Sequence, residues 1–252
     1  MQSSEEPFCT RMRKVTRNVH SISDALVQSK FVLGLIDDRV WAEGLLVFYE
    51  VFSFLEGSIQ RQHDTAVGKF DHPALKRVPG FEADLALFYG ADWKVTHRPA
   101  DRECVRQVLA HLEEIEKSDP VLLTAYIYHL YLGLLSGGQI LRKKQKLMRA
   151  SQFAKGSSVV DFDPKDIQEL KKFIKDTMTD LADTMDEDTK KRILDESVKV
   201  FQFNCELIRS VRSTNYALLK IGRSLTLAVI FAVLAIMLYT HLSSTEDDEK
   251  QL

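Results

Sequence analysis

Three glycines and a serine interrupt an otherwise apolar stretch, Tyr131-Leu132-Gly133-Leu134-Leu135-Ser136-Gly137-Gly138-Gln139-Ile140-Leu141. From Val121 to Met148 there is no proline, and aliphatic and aromatic residues recur at helical spacing, so the segment predicts a helix. Each glycine inside a helix costs roughly 1 kcal/mol relative to alanine, a cost that something must offset. Gly133 and Gly137 lie one turn apart on the same face, and Ser136-Gly137-Gly138 is a natural kink point. The bare face admits either a closely packed neighbouring helix or a flat or bulky ligand against the backbone itself.

The rest of the chain reads as helix too. Long periodic segments dominate, glycine and proline are sparse, and no alternating runs bounded by turns occur, which predicts an all-α fold. A chain of 252 residues, 45% of them apolar, can bury one substantial core. Its net charge of −2 argues against a general nucleic-acid binder. Cys9, Cys104 and Cys205 are scattered, without a Cys-x-x-Cys pair, and fit a reducing compartment rather than a disulfide framework.

The N-terminus lacks the basic and apolar regions of a signal peptide. Ser224 to Thr240, in contrast, is uncharged and strongly apolar, and as a helix would be roughly 25 Å long at about 1.5 Å per residue. That length suits a thin membrane of about 27 Å, such as the endoplasmic reticulum. The alternative is a buried core helix. Lys220 and Arg223 precede the run and Glu246, Asp247, Asp248 and Glu249 follow it, so the positive-inside rule leaves the bulk of the chain in the cytosol. The expected organisation is an N-terminal tail over 1–9, one helical domain over 10–212, a linker over 213–223, a transmembrane anchor over 224–240 and an acidic tail over 241–252.

Within the domain, helices are expected at about Thr10–Gln28 (apolar stripe Val15, Val19, Ile22, Leu26), Arg39–His63 and Phe81–Tyr89, then from Pro99 to Ser118 and over the glycine-bearing segment. Two more cover about Pro164–Met185 and Glu187–Arg212. Val67–Gly80 and Ser151–Asp163 read as loops.

Arg13, Arg17, His20 and Asp24 share one face of the first helix. They could bind an anion, with His20 as metal ligand and Asp24 orienting its ring, or form a solvated polar face. His129 shares the face of Gly133 and could touch a ligand there or be a satisfied core histidine; His111 is expected on an exposed face. Arg142 to Arg149 holds five cations in eight residues, suited to an acidic protein, to anionic lipid or to plain solvation. No Gly-x-Ser-x-Gly, P-loop, dinucleotide fingerprint or His-Glu-x-x-His occurs.

Three segments in order, Val15-Thr-Arg-Asn-Val-His20, Phe81-Glu-Ala-Asp-Leu-Ala-Leu-Phe-Tyr-Gly-Ala-Asp-Trp93 and Tyr131 to Leu141, resemble haem oxygenases of the tail-anchored eukaryotic type. The resemblance implies haem as both substrate and cofactor, sandwiched between the first helix and the kinked glycine helix. Haem would be opened to biliverdin, carbon monoxide and free iron using O2 and electrons from an NADPH–cytochrome P450 reductase-like donor. It implies His20 as iron ligand with Asp24 beside it, and Gly133 and Gly137 against the other haem face. Arg13, Arg17, Tyr128, Lys171 and Lys175 match positions serving the propionates, and Phe201 and Asn204 match pocket-lining positions.

Three positions depart from that family. Leu134 stands where it carries an aspartate that organises water, Phe52 where many relatives have tyrosine, and Leu130 where they have arginine. A leucine neither holds water nor delivers protons. Two alternatives therefore accompany the oxygenase expectation: a haem-binding protein or sensor with weak or peroxidase-like turnover, and a tail-anchored helical adaptor without cofactor.

Overall fold

The computed structural model describes residues 6–34, 37–97, 102–147 and 158–249. The expected helix start at Pro99, the end of the basic run, most of the loop from Ser151 and the two extreme termini lie outside the described residues, as do the side chains of 144–147 and 238–249. Among the described residues there are helices and no strand.

Helix α1 (Phe8–Gly34) packs along α9 (Glu187–Arg209), with α8 (Asp166–Asp183) to one side. Helix α2 (Asp38–Arg61) packs against α3 (Val78–Tyr89) and α5 (Glu103–Ser118); a short α4 (Trp93–Thr96) follows α3. Helix α6 (Leu123–Gly133) runs through the middle, touching α2, α5, α8 and α9. Its own Leu123 and Ile127 are fully buried, as are Leu55, Leu85, Leu112 and Ile174 from other helices of the same core. Burying one such side chain contributes about 1.5–3 kcal/mol, so the core holds α6 firmly.

The glycine segment is not one uninterrupted α-helix. After α6 it makes a single π turn, Leu134–Gly138, and resumes as α7 (Gln139–Leu147). The expected kink is this wide turn, in which each backbone bond skips one residue more than in an α-helix. It is buttressed from outside. Asp84 of α3 accepts the backbone N–H groups of Ser158 and Val159 at 2.9 and 3.0 Å, fixing a short 3-10 turn. Gln139 donates to the carbonyl of Val160 in that turn, and a Cβ on Gly138 would meet Val160 Cγ1 at 3.0 Å. Gly138 is therefore a packing glycine.

The region expected as a loop over 67–80 contains two 3-10 turns, and α3 begins at Val78 rather than Phe81. Glu56 explains the earlier start: its carboxylate accepts the backbone N–H groups of Arg77 and Val78, tying the free end of α3 to α2.

The C-terminal run belongs to one helix, α10 (Thr214–Glu249), so residues 213–223, expected as a linker, are helical from Thr214 on. Its first turns dock: Ala217 is buried, Lys30 of α1 donates to the Val211 carbonyl and to Thr214 Oγ1, and Arg39 lies over the Tyr216 ring. Glu43 of α2 accepts the N–H groups of Arg212 and Ser213 and pairs with Arg102. The stretch Thr214–Met237, which starts within that joint, is long and apolar enough to cross a membrane, and none of its most apolar window is buried in the fold. The alternative of a core helix is not met. The glycine-bearing helix, Pro120–Lys143, passes the same length and composition test but is half buried, as a core helix is.

Candidate functional site

Helix α1 buries Met12, Thr16 and Ser23, while Val15 and Ile22, expected on its apolar stripe, are exposed. Two members of that buried line are short and polar: Thr16 turns its hydroxyl back onto the Met12 carbonyl, and Ser23 accepts from Asn204 of α9. Small residues let α1 lie close to α9. That rotation sets Arg13, Arg17, His20 and Asp24 at the edge of the contact rather than opposite it.

His20 is half exposed, and its Nδ1 lies 3.2 Å from Asp24 Oδ2. With Nδ1 donating to the carboxylate, Nε2 is left as the unprotonated nitrogen with an available lone pair. The ring also meets Phe201 of α9, with centroids 4.9 Å apart in a T-shaped contact. Phe201 in turn meets His129 of α6 at 5.0 Å.

Tyr128 is buried and sits beside Cys9 and Arg13 of α1; burial pushes its hydroxyl well above the usual phenol range, with the Cys9 contact adding and Arg13 opposing. Cys9 also lies 3.7 Å from both the Lys175 carbonyl and Thr179 Oγ1 on α8. Arg13, Tyr128 and the Lys175 turn thus converge around one cysteine, which sequence reasoning did not single out. Arg17 and Lys171 lie one turn away along α1 and α8. Nearby carboxylates are engaged elsewhere: Glu187 by Arg11 and Lys190, Asp176 by Lys172, and Glu6 by Lys14. Among the described residues, none of Arg13, Arg17, Lys171 and Lys175 has a carboxylate within ion-pair distance.

Gly133 and Gly137 are exposed, and a Cβ built on either meets nothing within 4 Å. This excludes close helix–helix packing as the reason for these two glycines. His129 sits one turn before Gly133, so the face of α6 that meets Phe201 continues into bare backbone. Leu134 and Leu130 are half buried against the core, and Phe52 is fully packed between Phe81 and Tyr131 at 5.1 and 5.2 Å.

His129 is not a satisfied core histidine. Its Nε2 is hidden from solvent and has no hydrogen-bond partner among the described residues. Burial pulls its pKa down to about 3, and the nearby His20 adds to the effect, so the ring is neutral at pH 7. His111, expected on an exposed face, is half buried with Nε2 2.6 Å from Glu196 Oε1, which also accepts from Tyr126 at 2.8 Å. A lone histidine in a polar helix carried no signal for that partner, which lies 85 residues away.

The family model described as "Heme oxygenase" matches residues 6–210. "Heme oxygenase 1" of a Nostoc species is 30% identical over 212 residues, covering 81% of this chain and 85% of that protein. "Heme oxygenase 1" of Gallus gallus is 29% identical, covering 84% and 72%. Among solved structures, heme oxygenase 2 from Chlamydomonas reinhardtii without heme superposes with a TM-score of 0.74 at 26% identity, covering 82% of this chain and 98% of that one. A cyanobacterial heme oxygenase-1 in complex with heme, at 24% identity, shares the fold with a TM-score of 0.77 and covers 89% of this chain and all of that one. With the family model spanning nearly all of the helical domain, the chain belongs to the haem oxygenase family.

Proposed function

We propose that this chain opens haem oxidatively to biliverdin, carbon monoxide and free iron, and that haem binds between α1 and the bare stretch of α6 with its π turn. The observation that carries this reading is the pairing of an Asp24-oriented His20 with a neighbouring helix face that turns, after one turn, into glycine backbone open to space. The residues fit a haem. An imidazole with a free nitrogen suits iron, Cβ-free backbone suits a flat macrocycle, and four cations without carboxylate partners suit two propionates.

Haem, when bound, supplies both the iron that activates dioxygen and the ring that is cleaved. In this reading His20 is the iron ligand and Asp24 holds its ring in one tautomer. Arg13, Arg17, Lys171 and Lys175 grip the propionates with the Tyr128 hydroxyl, and Phe201 and Asn204 line the pocket from α9. Gly133 and Gly137, lacking a Cβ, would let the helix lie close over a bound ring and so limit the space left beside it. Leu134 covers part of that space without holding water or passing a proton.

Electrons come from an NADPH–cytochrome P450 reductase-like donor. The apolar span of α10 anchors the domain in the endoplasmic reticulum membrane, facing the cytosol because Lys220 and Arg223 flank the span on the domain side. Supplying reductase, NADPH and haem to the full chain tests the reading: biliverdin and carbon monoxide are expected in equal amounts. Saturable haem binding without either product favours the second reading, a haem-binding protein with weak or peroxidase-like turnover, for which the apolar trio Leu134, Phe52 and Leu130 speaks. No saturable change in the haem absorption band leaves the cofactor-free adaptor. Under the oxygenase reading, Leu134→Asp raises the ring-opening rate or sharpens the isomer distribution with haem affinity nearly unchanged. Equal rates and product mixtures contradict the role given to Leu134.

A further inference from the structure

We propose that His129 is a second imidazole available to haem iron, so that this chain holds ferric haem between two of its own histidines, His20 and His129. The inference rests on the haem-binding reading above and adds a ligand to it. Buried polar atoms in folded proteins are hydrogen-bonded with few exceptions, and each exception calls for a contact still to be made. His129 Nε2 is such an exception: it is shielded from solvent, and no carbonyl, carboxylate or hydroxyl among the described residues reaches it.

Its position says what the contact is. The imidazoles of His20 and His129 each stand about 5 Å from the centroid of the same Phe201 ring, both edge-on, so they lie at most about 10 Å apart. One belongs to α1 and the other to α6, the two helices proposed to flank the haem. The neighbouring tyrosines of α6 are committed, Tyr128 against Cys9 and Arg13, Tyr126 to Glu196 and Tyr131 to Glu56, whereas the His129 nitrogen has no partner among the described residues. Residues that could offer water as a competing ligand are replaced by Leu134 and Leu130, both packed on the core. An imidazole nitrogen without a hydrogen-bond partner has a lone pair free to bind iron once a haem is seated beside it.

Phe201 packs against both rings, so bringing both imidazoles onto one iron would have to move it, and that movement is the conformational cost of the second ligand. Iron held by both imidazoles would have no free place for dioxygen, so His129 would keep a ferric complex at rest until it let go. His129 is thus a regulator of the site and not part of the ring-opening chemistry.

The test uses the full chain in detergent, loaded with ferric haem at slightly acidic pH, read by electron paramagnetic resonance and absorption. The wild type is expected to show a low-spin, two-imidazole species. His129→Ala should lose at least about tenfold of that signal in favour of a high-spin form while binding haem in the same ratio. His20→Ala should keep one imidazole on iron. Phe201→Ala should increase the two-imidazole fraction. If His129→Ala does not fold, 15N-histidine labelling of the wild type decides by counting coordinated imidazole nitrogens: two support the proposal and one overturns it. A purely high-spin wild type, or a low-spin signal unchanged in His129→Ala, also overturns it. No saturable haem binding by the wild type would defeat the haem reading itself, a distinct outcome.

Discussion

Two polar neighbourhoods flank the same contact between α6 and α9, and the chain completes one while leaving the other open. In the first, Glu196 of α9 takes His111 at 2.6 Å, Tyr126 at 2.8 Å and Lys199 at 3.2 Å. In the second, Phe201 of α9 faces His20 and His129, one imidazole nitrogen has no partner among the described residues, and four cations nearby lack carboxylates. A completed network specifies one packing and contributes to stability; an incomplete one costs stability and persists where a ligand completes it. The difference separates structural polarity from functional polarity within one helix pair.

Breaking the completed side should have the largest effect on folding. Glu196→Ala leaves His111 and Tyr126 buried without an acceptor and should cost about 3 kcal/mol of unfolding free energy by denaturant titration. Haem affinity per folded molecule should stay unchanged. A change in affinity matching the loss of stability would show that the two neighbourhoods are one.

On the open side the signs reverse. Gly137→Ala places a methyl in empty space on a helical backbone, so the haem-free protein should gain up to about 1 kcal/mol. The same methyl should weaken haem binding by roughly 1–3 kcal/mol, because it overpacks the loaded site. Opposite signs in thermal melting and in haem titration are the result to look for; a loss in both assigns Gly137 to packing.

Acid sharpens the comparison through His129. Its pKa is held near 3 in the folded chain against an ordinary value of 6.5, so between those values the unfolded chain binds the extra proton. Stability of the haem-free protein should fall as pH drops below 6.5, at up to about 1.4 kcal/mol per pH unit from this residue. His129→Phe should flatten that part of the profile, and an unaltered slope would show that His129 takes up its proton in the folded state.

The smallest effect belongs to the rim. Lys171→Ala and Lys175→Ala together should lower haem affinity by about 0.5–1 kcal/mol per site, and less at high salt, because Lys175 is exposed and Lys171 partly so. A salt-independent loss would mean that either lysine acts by shape.

Much of this was legible in the chain. The helical period gave the all-α fold, and the glycine cost pointed to a surface needing bare backbone, which two of the three glycines provide. The one-turn spacing placed His20 and Asp24 together as expected. What escaped depends on contacts distant in sequence. Nothing around Phe201 announces that its ring would touch two histidines from two other helices, and nothing around Cys9 announces Tyr128. The α1 stripe was misread because Thr16 and Ser23, short polar residues, bury better against α9 than Val15 and Ile22 do. The helical junction at 214 was missed because Ser213-Thr214-Asn215 reads as a break, whereas Glu43 and Lys30 turn it into a capped joint.

The central claim, that haem lies against the bare backbone of α6, is tested most directly by nuclear magnetic resonance on 15N-glycine-labelled protein. Ferric haem added to saturation should broaden the amide signals of Gly133 and Gly137 beyond detection. Zinc protoporphyrin, which is diamagnetic, should return them with ring-current shifts, while Gly90, at the far end of α3, should remain sharp in both. Saturable haem binding with Gly133 and Gly137 as unperturbed as Gly90 would contradict the account.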